Sequence, residues 1–257
     1  MMSAKRPKVA FFDFAGCEGC QLTVIDVLQS HPELLEVIEI VQFREAMSER
    51  GEDFEIAFVE GSYTRPSDQQ RLDQIREQAA LVIALGACAH IGGVNALRNA
   101  KPLQQVRQYV YKHKADHYEA ENALPISAAI PVDGFIPGCP IDRHEFVRAV
   151  KSLLQGNLPD IPDYPLCVEC KLRENECLFY RGEPCLGPII RAGCGALCPT
   201  YGVGCDGCRG LIPHPNIESL KEVMTEHGLS QSMIDAKLSI FTTNELKEFE
   251  AVYHGSE

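Results

Sequence analysis

Eight cysteines fall within the 42 residues from Cys167 to Cys208, CVECKLRENECLFYRGEPCLGPIIRAGCGALCPTYGVGCDGC. A segment so short of aliphatic residues, and so often broken by Gly and Pro, buries too little apolar surface to offset its own ordering entropy. Thiolates gathered around metal are the other available source of order. The net charge of −12 over 257 residues, with Lys and Arg scattered, leaves no basic stripe to neutralise phosphates and excludes a nucleic-acid partner. No apolar run approaches the roughly 20 residues of a membrane span, so no membrane contact is expected. The N-terminus MMSAKRPKVAFFDF shows neither a secretory apolar region with a cleavage site nor a twin-arginine pattern. The expected compartment is the cytoplasm, where clustered thiols stay reduced and bind metal; a secreted disulfide framework is the competing reading.

Before the cysteine segment, apolar runs alternate with helical patterns. VAFFDF (9–14), IEIVQF (38–43), IAFVEG (56–61) and LVIALG (81–86) read as strands, and QLTVIDVLQ (21–29) as a helix. Ser67 with Gln70 has the form of a capping box ahead of a helix that carries Leu72, Ile75 and Ala79. Residues 97–125 read as a solvated helix and loop, with His113 and His117 on the surface. A short strand and a Gly-Cys-Pro turn occupy 126–140; Asp142 with Glu145 then opens a helix carrying Phe146, Val147, Val150 and Leu154. The alternation predicts an α/β fold with a mostly parallel sheet. It ends near residue 158, and PDIPDYP (159–165) leads into the cysteine segment. Two short helices, 217–228 and 233–241, are expected to cover that segment.

The other four cysteines follow strands. Cys17 and Cys20 lie in the loop after the first strand, Cys88 after LVIALG and Cys139 after VDGFI. Loops at the carboxyl ends of parallel strands converge on one crevice, so these four can form a tetrahedral thiolate site. A thioredoxin-like pair at Cys17 and Cys20 is the alternative, but it leaves Cys88 and Cys139 without a role.

The dense segment divides by spacing into Cys167, Cys170, Cys177 and Cys185, then Cys194, Cys198, Cys205 and Cys208. Twelve cysteines thus make three sets of four with none left over. Such sets suit zinc or iron–sulfur clusters. Only 167/170 and 205/208 have the C-x-x-C form of a zinc knuckle, and one zinc there would leave four neighbours idle. Iron–sulfur leads on ligand count and context.

GCEGC, GACAHIGG (86–93), VDGFIPGCP (132–140), CLGPIIRAGCGALCP and GVGCDGCRG together resemble the small, electron-transferring subunit of nickel–iron hydrogenases, in particular the cytoplasmic sulfhydrogenase delta type. The resemblance runs from Val9 to the tail helices. It implies a flavodoxin-like domain over 1–158 holding a proximal [4Fe-4S] cluster on Cys17, Cys20, Cys88 and Cys139. It also implies a ferredoxin-like iron–sulfur domain over 159–257, with a distal [4Fe-4S] cluster on Cys167, Cys170, Cys177 and Cys185. A medial one would lie on Cys194, Cys198, Cys205 and Cys208. Cys167 stands where periplasmic relatives have His, and the extra Cys198 favours [4Fe-4S] over [3Fe-4S] at the medial site.

The resemblance further implies that hydrogen is split at nickel and iron in a large partner subunit, with no catalytic residue in this chain. Electrons would pass between that subunit and iron–sulfur and flavin/NAD(P)-binding diaphorase subunits. Glu18 and Glu60, near the first site, are candidates for tuning it or moving a proton; a helix cap or a solvent-facing carboxylate is the plainer role. Gly16, Gly19, Gly86 and Gly138 are candidate backbone donors to sulfur as well as turn formers. Three other readings compete: a small subunit of a heterodisulfide-reductase-linked hydrogenase, a zinc-stabilised module without redox chemistry, and a subunit of a respiratory complex I-like enzyme.

Overall fold

The computed structural model describes residues 6–254, with side chains to residue 251. Residues 1–5 of the stretch read for export signals lie outside the described residues. Five strands form one sheet: β1 (Lys8–Asp13), β2 (Glu39–Phe43), β3 (Ile56–Glu60), β4 (Leu81–Leu85) and β5 (Gly134–Ile136). Their order is β2-β1-β3-β4-β5 and every pairing is parallel, which is the flavodoxin-like arrangement. All five carboxyl ends therefore point to one edge.

Side-chain alternation along the strands sends residues to opposite faces, and helices cover both. Val9, Phe11, Ile56, Phe58, Ile83 and Leu85 meet Val24 and Val27 of α1 (Gly19–Ser30) and Phe146, Val150 and Leu153 of a later helix. Leu34 of the one-turn α2 (Leu34–Val37) closes the end of that layer. Phe11 stacks between Phe43 and Phe58 at ring-centre distances of 4.4 and 5.0 Å. Ala10, Phe12, Ala57, Val59, Val82 and Ala84 face the other way, onto Leu72 and Ile75 of α3 (Gln69–Gln78). Burial of each such large apolar side chain contributes roughly 1.5–3 kcal/mol.

The capping box at Ser67 does not form. Pro66–Asp68 is a 3-10 turn, the Ser67 N–H donates to Glu119 at 3.0 Å, and Asp68 pairs with Arg65. After β4 come α4 (Gly86–Ile91) and the solvated α5 (Leu103–Tyr111), which has no buried residue; His113 and His117 are exposed. The cap at Asp142 does form, accepting from the Glu145 N–H at 2.8 Å to start α6 (Arg143–Leu154). Its inward residue in the last turn is Leu153, while Leu154 is exposed.

The cysteine segment runs through α7 (Cys167–Leu172) and α8 (Leu197–Thr200), with loops around both. It gains an apolar core after all, because the tail supplies one. Leu186, Ile189 and Ile190 pack with Ile217, Leu220 and Met224 of α9 (Ile217–Glu226) and with Ile234 and Leu238 of α10 (Gln231–His254). The last helix runs 13 residues beyond the expected end at 241, since it stops at His254. Its second half turns back onto the sheet domain. Asn244 donates to the Ile91 and Ala123 carbonyls at 3.1 and 2.9 Å and accepts from Asn99 at 2.9 Å. Across the same seam the Arg209 guanidinium grips the Glu145 carboxylate of α6 through bonds of 2.8 and 2.7 Å, both side chains being buried.

Candidate metal centres

At the carboxyl edge of the sheet the chain delivers four cysteines from three loops. Cys17 follows β1, Cys20 lies in the first turn of α1, Cys88 lies in α4 after β4, and Cys139 follows β5. They share one neighbourhood: the Cys20 thiol feels the charges of Cys88 and Cys139, and Cys88 and Cys139 both feel Cys17. Cys20 is buried and Cys88 half-buried, whereas Cys17 and Cys139 face outward.

Two glycines make this crowding feasible. A Cβ on Gly86 (φ +82°) would stand 2.3 Å from the Cys20 sulfur, and one on Gly93 (φ +59°) 2.7 Å from the Cys88 sulfur. No other residue tolerates both the left-handed backbone and the approach.

Glu60, at the end of β3, is buried and reaches across to α1. Its carboxylate accepts from the Cys20 and Gln21 N–H groups at 3.0 and 2.9 Å, satisfying two of the donors that a helix start leaves free. Glu60 therefore does the capping that sequence offered to Glu18. Glu18 sits at the N-cap position with φ 62° and makes no side-chain cap bond. Burial raises the Glu60 carboxyl above its ordinary range although both N–H bonds pull it down. The Ser62 hydroxyl donates to the Gly92 and Ala15 carbonyls at 3.1 and 3.3 Å, and the Ile141 backbone and Ser62 pull the Cys20 and Cys88 thiols down against their burial.

In the dense segment, α7 brings Cys167 and Cys170 to one side at helical spacing. The Cys167 thiol feels Cys185, Cys170 and Cys177, and the Asn175 amide lies 3.6 Å from the Cys170 sulfur. The other four gather around Cys194: Cys198, Cys205 and Cys208 each feel its charge. This second group touches both others. The Cys205 N–H donates to the Cys185 sulfur at 3.3 Å, and the Cys208 thiol is pulled down by the Cys139 backbone and pushed up by the Cys139 charge.

The chemistry of the donors fits metal-bound thiolate. All twelve cysteines are free. Burial, with neighbouring charges adding to it, pushes Cys88, Cys167 and Cys208 up to about 12 and raises Cys20 and Cys205 well above the ordinary thiol range. A thiolate at such places needs a cation, and coordination deprotonates a thiol outright. Among the described residues no three Cys, His, Asp or Glu side chains converge tightly enough to grip a single ion.

Residues 17–153 match the family described as NADH ubiquinone oxidoreductase, 20 kDa subunit, a span that takes in the sheet-edge cysteines and stops short of the dense segment. Sulfhydrogenase 2 subunit delta of Pyrococcus furiosus is 36% identical over 222 residues, covering 85% of this chain and 92% of the relative. A vhu-type F420-non-reducing hydrogenase subunit of Methanocaldococcus jannaschii is 33% identical over 237 residues, 79% and 81% of the two chains. NAD-reducing hydrogenase HoxS subunit delta of Cupriavidus necator is 29% identical over 171 residues, 60% and 82%. A chain in the structure of the actinobacterial-type NiFe-hydrogenase of Ralstonia eutropha H16 shares the fold, with TM-score 0.54, 15% identity and coverage of 98% and 92%.

Proposed function

Because the chain belongs to the family of the NADH ubiquinone oxidoreductase 20 kDa subunit, and within it to the small subunits of NiFe hydrogenases, we propose that it relays electrons through three [4Fe-4S] clusters between a large catalytic subunit and an NAD(P)-linked acceptor. Hydrogenase small subunits bind iron–sulfur clusters and pair with the large NiFe subunit, where the catalytic site lies. In this reading the proximal site is Cys17, Cys20, Cys88 and Cys139, the medial site Cys194, Cys198, Cys205 and Cys208, and the distal site Cys167, Cys170, Cys177 and Cys185. The carrying observation is the Cys205 N–H bond to the Cys185 sulfur, which, with the Cys139 backbone acting on the Cys208 thiol from the other side, supports a place for the group around Cys194 between the other two.

A [4Fe-4S] group supplies one-electron redox chemistry when bound. The protein's own residues do the rest. Gly86 and Gly93 let sulfur approach the backbone, buried apolar walls exclude water, and the Asn175 amide directs a hydrogen-bond donor at the Cys170 sulfur, the means by which a protein tunes such a site. Cys17 and Cys139, exposed on this chain, mark the side that the large subunit would cover. Glu60 acts by fixing the start of α1 and hence Cys20. The division into parts at 1–158 and 159–257 belongs to this reading; the apolar cluster of the second part, drawn wholly from residues 166–249, supports it.

The NAD-reducing relative favours a diaphorase partner, and the F420-non-reducing relatives favour the alternative of a heterodisulfide-reductase-linked complex. We place the complex in the cytoplasm, where twelve free thiols stay available for metal. Among the described residues no helix is long and apolar enough to cross a membrane. The test is hydrogen-dependent reduction of NAD+ and NADP+ by the complex purified anaerobically with its co-expressed neighbours. Turnover with either supports the diaphorase reading; hydrogen oxidation that reduces viologen but neither nucleotide contradicts it.

A further inference from the structure

Arg209 is the largest fully buried side chain and the one buried cation among the described residues. Its guanidinium is fixed from several sides. Nε donates to the Ala192 carbonyl at 2.7 Å, one terminal nitrogen to the Pro137 carbonyl at 3.3 Å and to Glu145 at 2.8 Å, and the other to Glu145 at 2.7 Å. Room for it comes from Gly193 (φ +121°), where a Cβ would stand 2.2 Å from the guanidinium. Pro137 lies two residues before Cys139 and Ala192 two before Cys194, so the cation sits at the junction of two cysteine groups.

Stability alone is a poor reason for burying this pair. Taking two charges out of water costs about as much as their attraction returns, and an apolar pair of similar volume often does as well. Location is the better reason. Arg209 directly follows Cys208 in the chain, its guanidinium is anchored on Ala192 two residues before Cys194, and Glu145 lies on the guanidinium itself. Other charges bear on the same group: Glu169, which accepts from the Gly193 and Ala196 N–H groups, acts on Cys194, and Asp206 and Lys237 act on Cys198. In that balance Arg209 is the buried, immobile contributor, with Glu145 as its counter-charge.

We propose that the Glu145–Arg209 pair sets the reduction potential of the site formed by Cys194, Cys198, Cys205 and Cys208, Arg209 raising it and Glu145 limiting the rise. This rests on the cluster reading above. Arg209 touches no reacting atom; it is a positioning residue that acts through the field at the two sulfurs. A reduced cluster carries one more negative charge than an oxidised one, so a fixed cation nearby favours reduction and a fixed anion opposes it.

The test is an anaerobic EPR redox titration of the whole purified complex, with iron and sulfide counted on the unaltered protein first. That count judges the cluster reading by itself, since fewer than three clusters per copy defeats it before any variant is made. With the clusters present, Glu145→Gln is expected to shift the medial potential upward and Arg209→Met to shift it downward, with smaller shifts at the other two. Shifts of one sign in both variants, equal shifts at all three clusters, or no shift overturn the inference. Should a single variant fail to hold its clusters because a buried charge is left alone, the double variant Glu145→Gln/Arg209→Met decides. It leaves no unpaired charge, and a downward shift confined to the medial site is expected. An unchanged medial potential there overturns the proposal.

Discussion

The backbone N–H of Cys205 points at the sulfur of Cys185 across 3.3 Å. One hydrogen bond thus joins a member of the group around Cys194 to a member of the group around Cys167. The Cys139 backbone pulls the Cys208 thiol down from the other side. A contact of this kind lets one group's backbone stabilise negative charge on the next group's sulfur.

Removal of one sulfur therefore has a local consequence that can be counted. Cys185→Ala is expected to lower the iron bound per chain by roughly a third, with the sheet-edge site retained. Metal analysis with EPR of the reduced complex checks this. Loss of all iron would mean that the sites assemble only together.

Gly86 carries two constraints at once, a φ of +82° and the 2.3 Å that would separate a Cβ from the Cys20 sulfur. Gly86→Ala is expected to cost about 1–3 kcal/mol in backbone strain alone and to displace Cys20. The predicted outcome is a lower melting temperature together with loss of the proximal EPR signal. Gly156→Ala, at φ +78° with nothing within 4 Å, serves as a control that carries strain without the clash.

The strands and the four cysteines behind them are legible in the sequence because continuous apolar runs leave little choice of element, and a ligand placed just after a strand must arrive at the carboxyl edge. Longer-range relations are not. Glu145 has the spacing of a capping partner for Asp142, yet its carboxylate pairs with Arg209, 64 residues away, and nothing local in either stretch announces it. Past 241 the buried positions of α10 are polar: Thr242 and Thr243 bond back to the Leu238 and Ser239 carbonyls of their own helix and Asn244 bonds backbone of the sheet domain, so the helix reads as ending at 241. Ser67 with Gln70 fits a capping pattern, but Pro66 opens a 3-10 turn there and Glu119 takes the Ser67 N–H. Leu153 and Leu154 are adjacent, and only the packing of α6 on the sheet decides which faces inward.

Asn244 holds the tail to the sheet domain through Ile91, Ala123 and Asn99. Asn244→Ala leaves the Asn99 amide short of an acceptor in a buried place, at a cost of about 1–3 kcal/mol. Denaturant unfolding of the complex at fixed protein concentration measures it. Asn244→Asp sets a carboxylate oxygen against the Ile91 and Ala123 carbonyls in a buried place and is expected to cost more than Asn244→Ala.

Glu245, further along α10, accepts from the Leu211 N–H at 3.0 Å, and burial pushes its carboxyl up to about 7 from 4.5. The folded protein then holds a proton that the unfolded chain has released, so stability is fully present below pH 4.5 and declines as pH rises toward about 7. The decline attributable to this group is on the order of 3 kcal/mol. Glu245→Gln, whose carbonyl can still accept from Leu211, is expected to flatten the fall in melting temperature between pH 5 and pH 8. An unchanged pH profile would contradict the assignment.

The most direct test is the iron and acid-labile sulfide content of this chain within its anaerobically purified complex, read with EPR of the reduced sample and a parallel zinc assay. The account predicts about twelve iron and about twelve sulfide per copy, with interacting signals from three clusters. About four iron per copy, or zinc without sulfide, would contradict it and remove the eight cysteines between Cys167 and Cys208 from electron transfer.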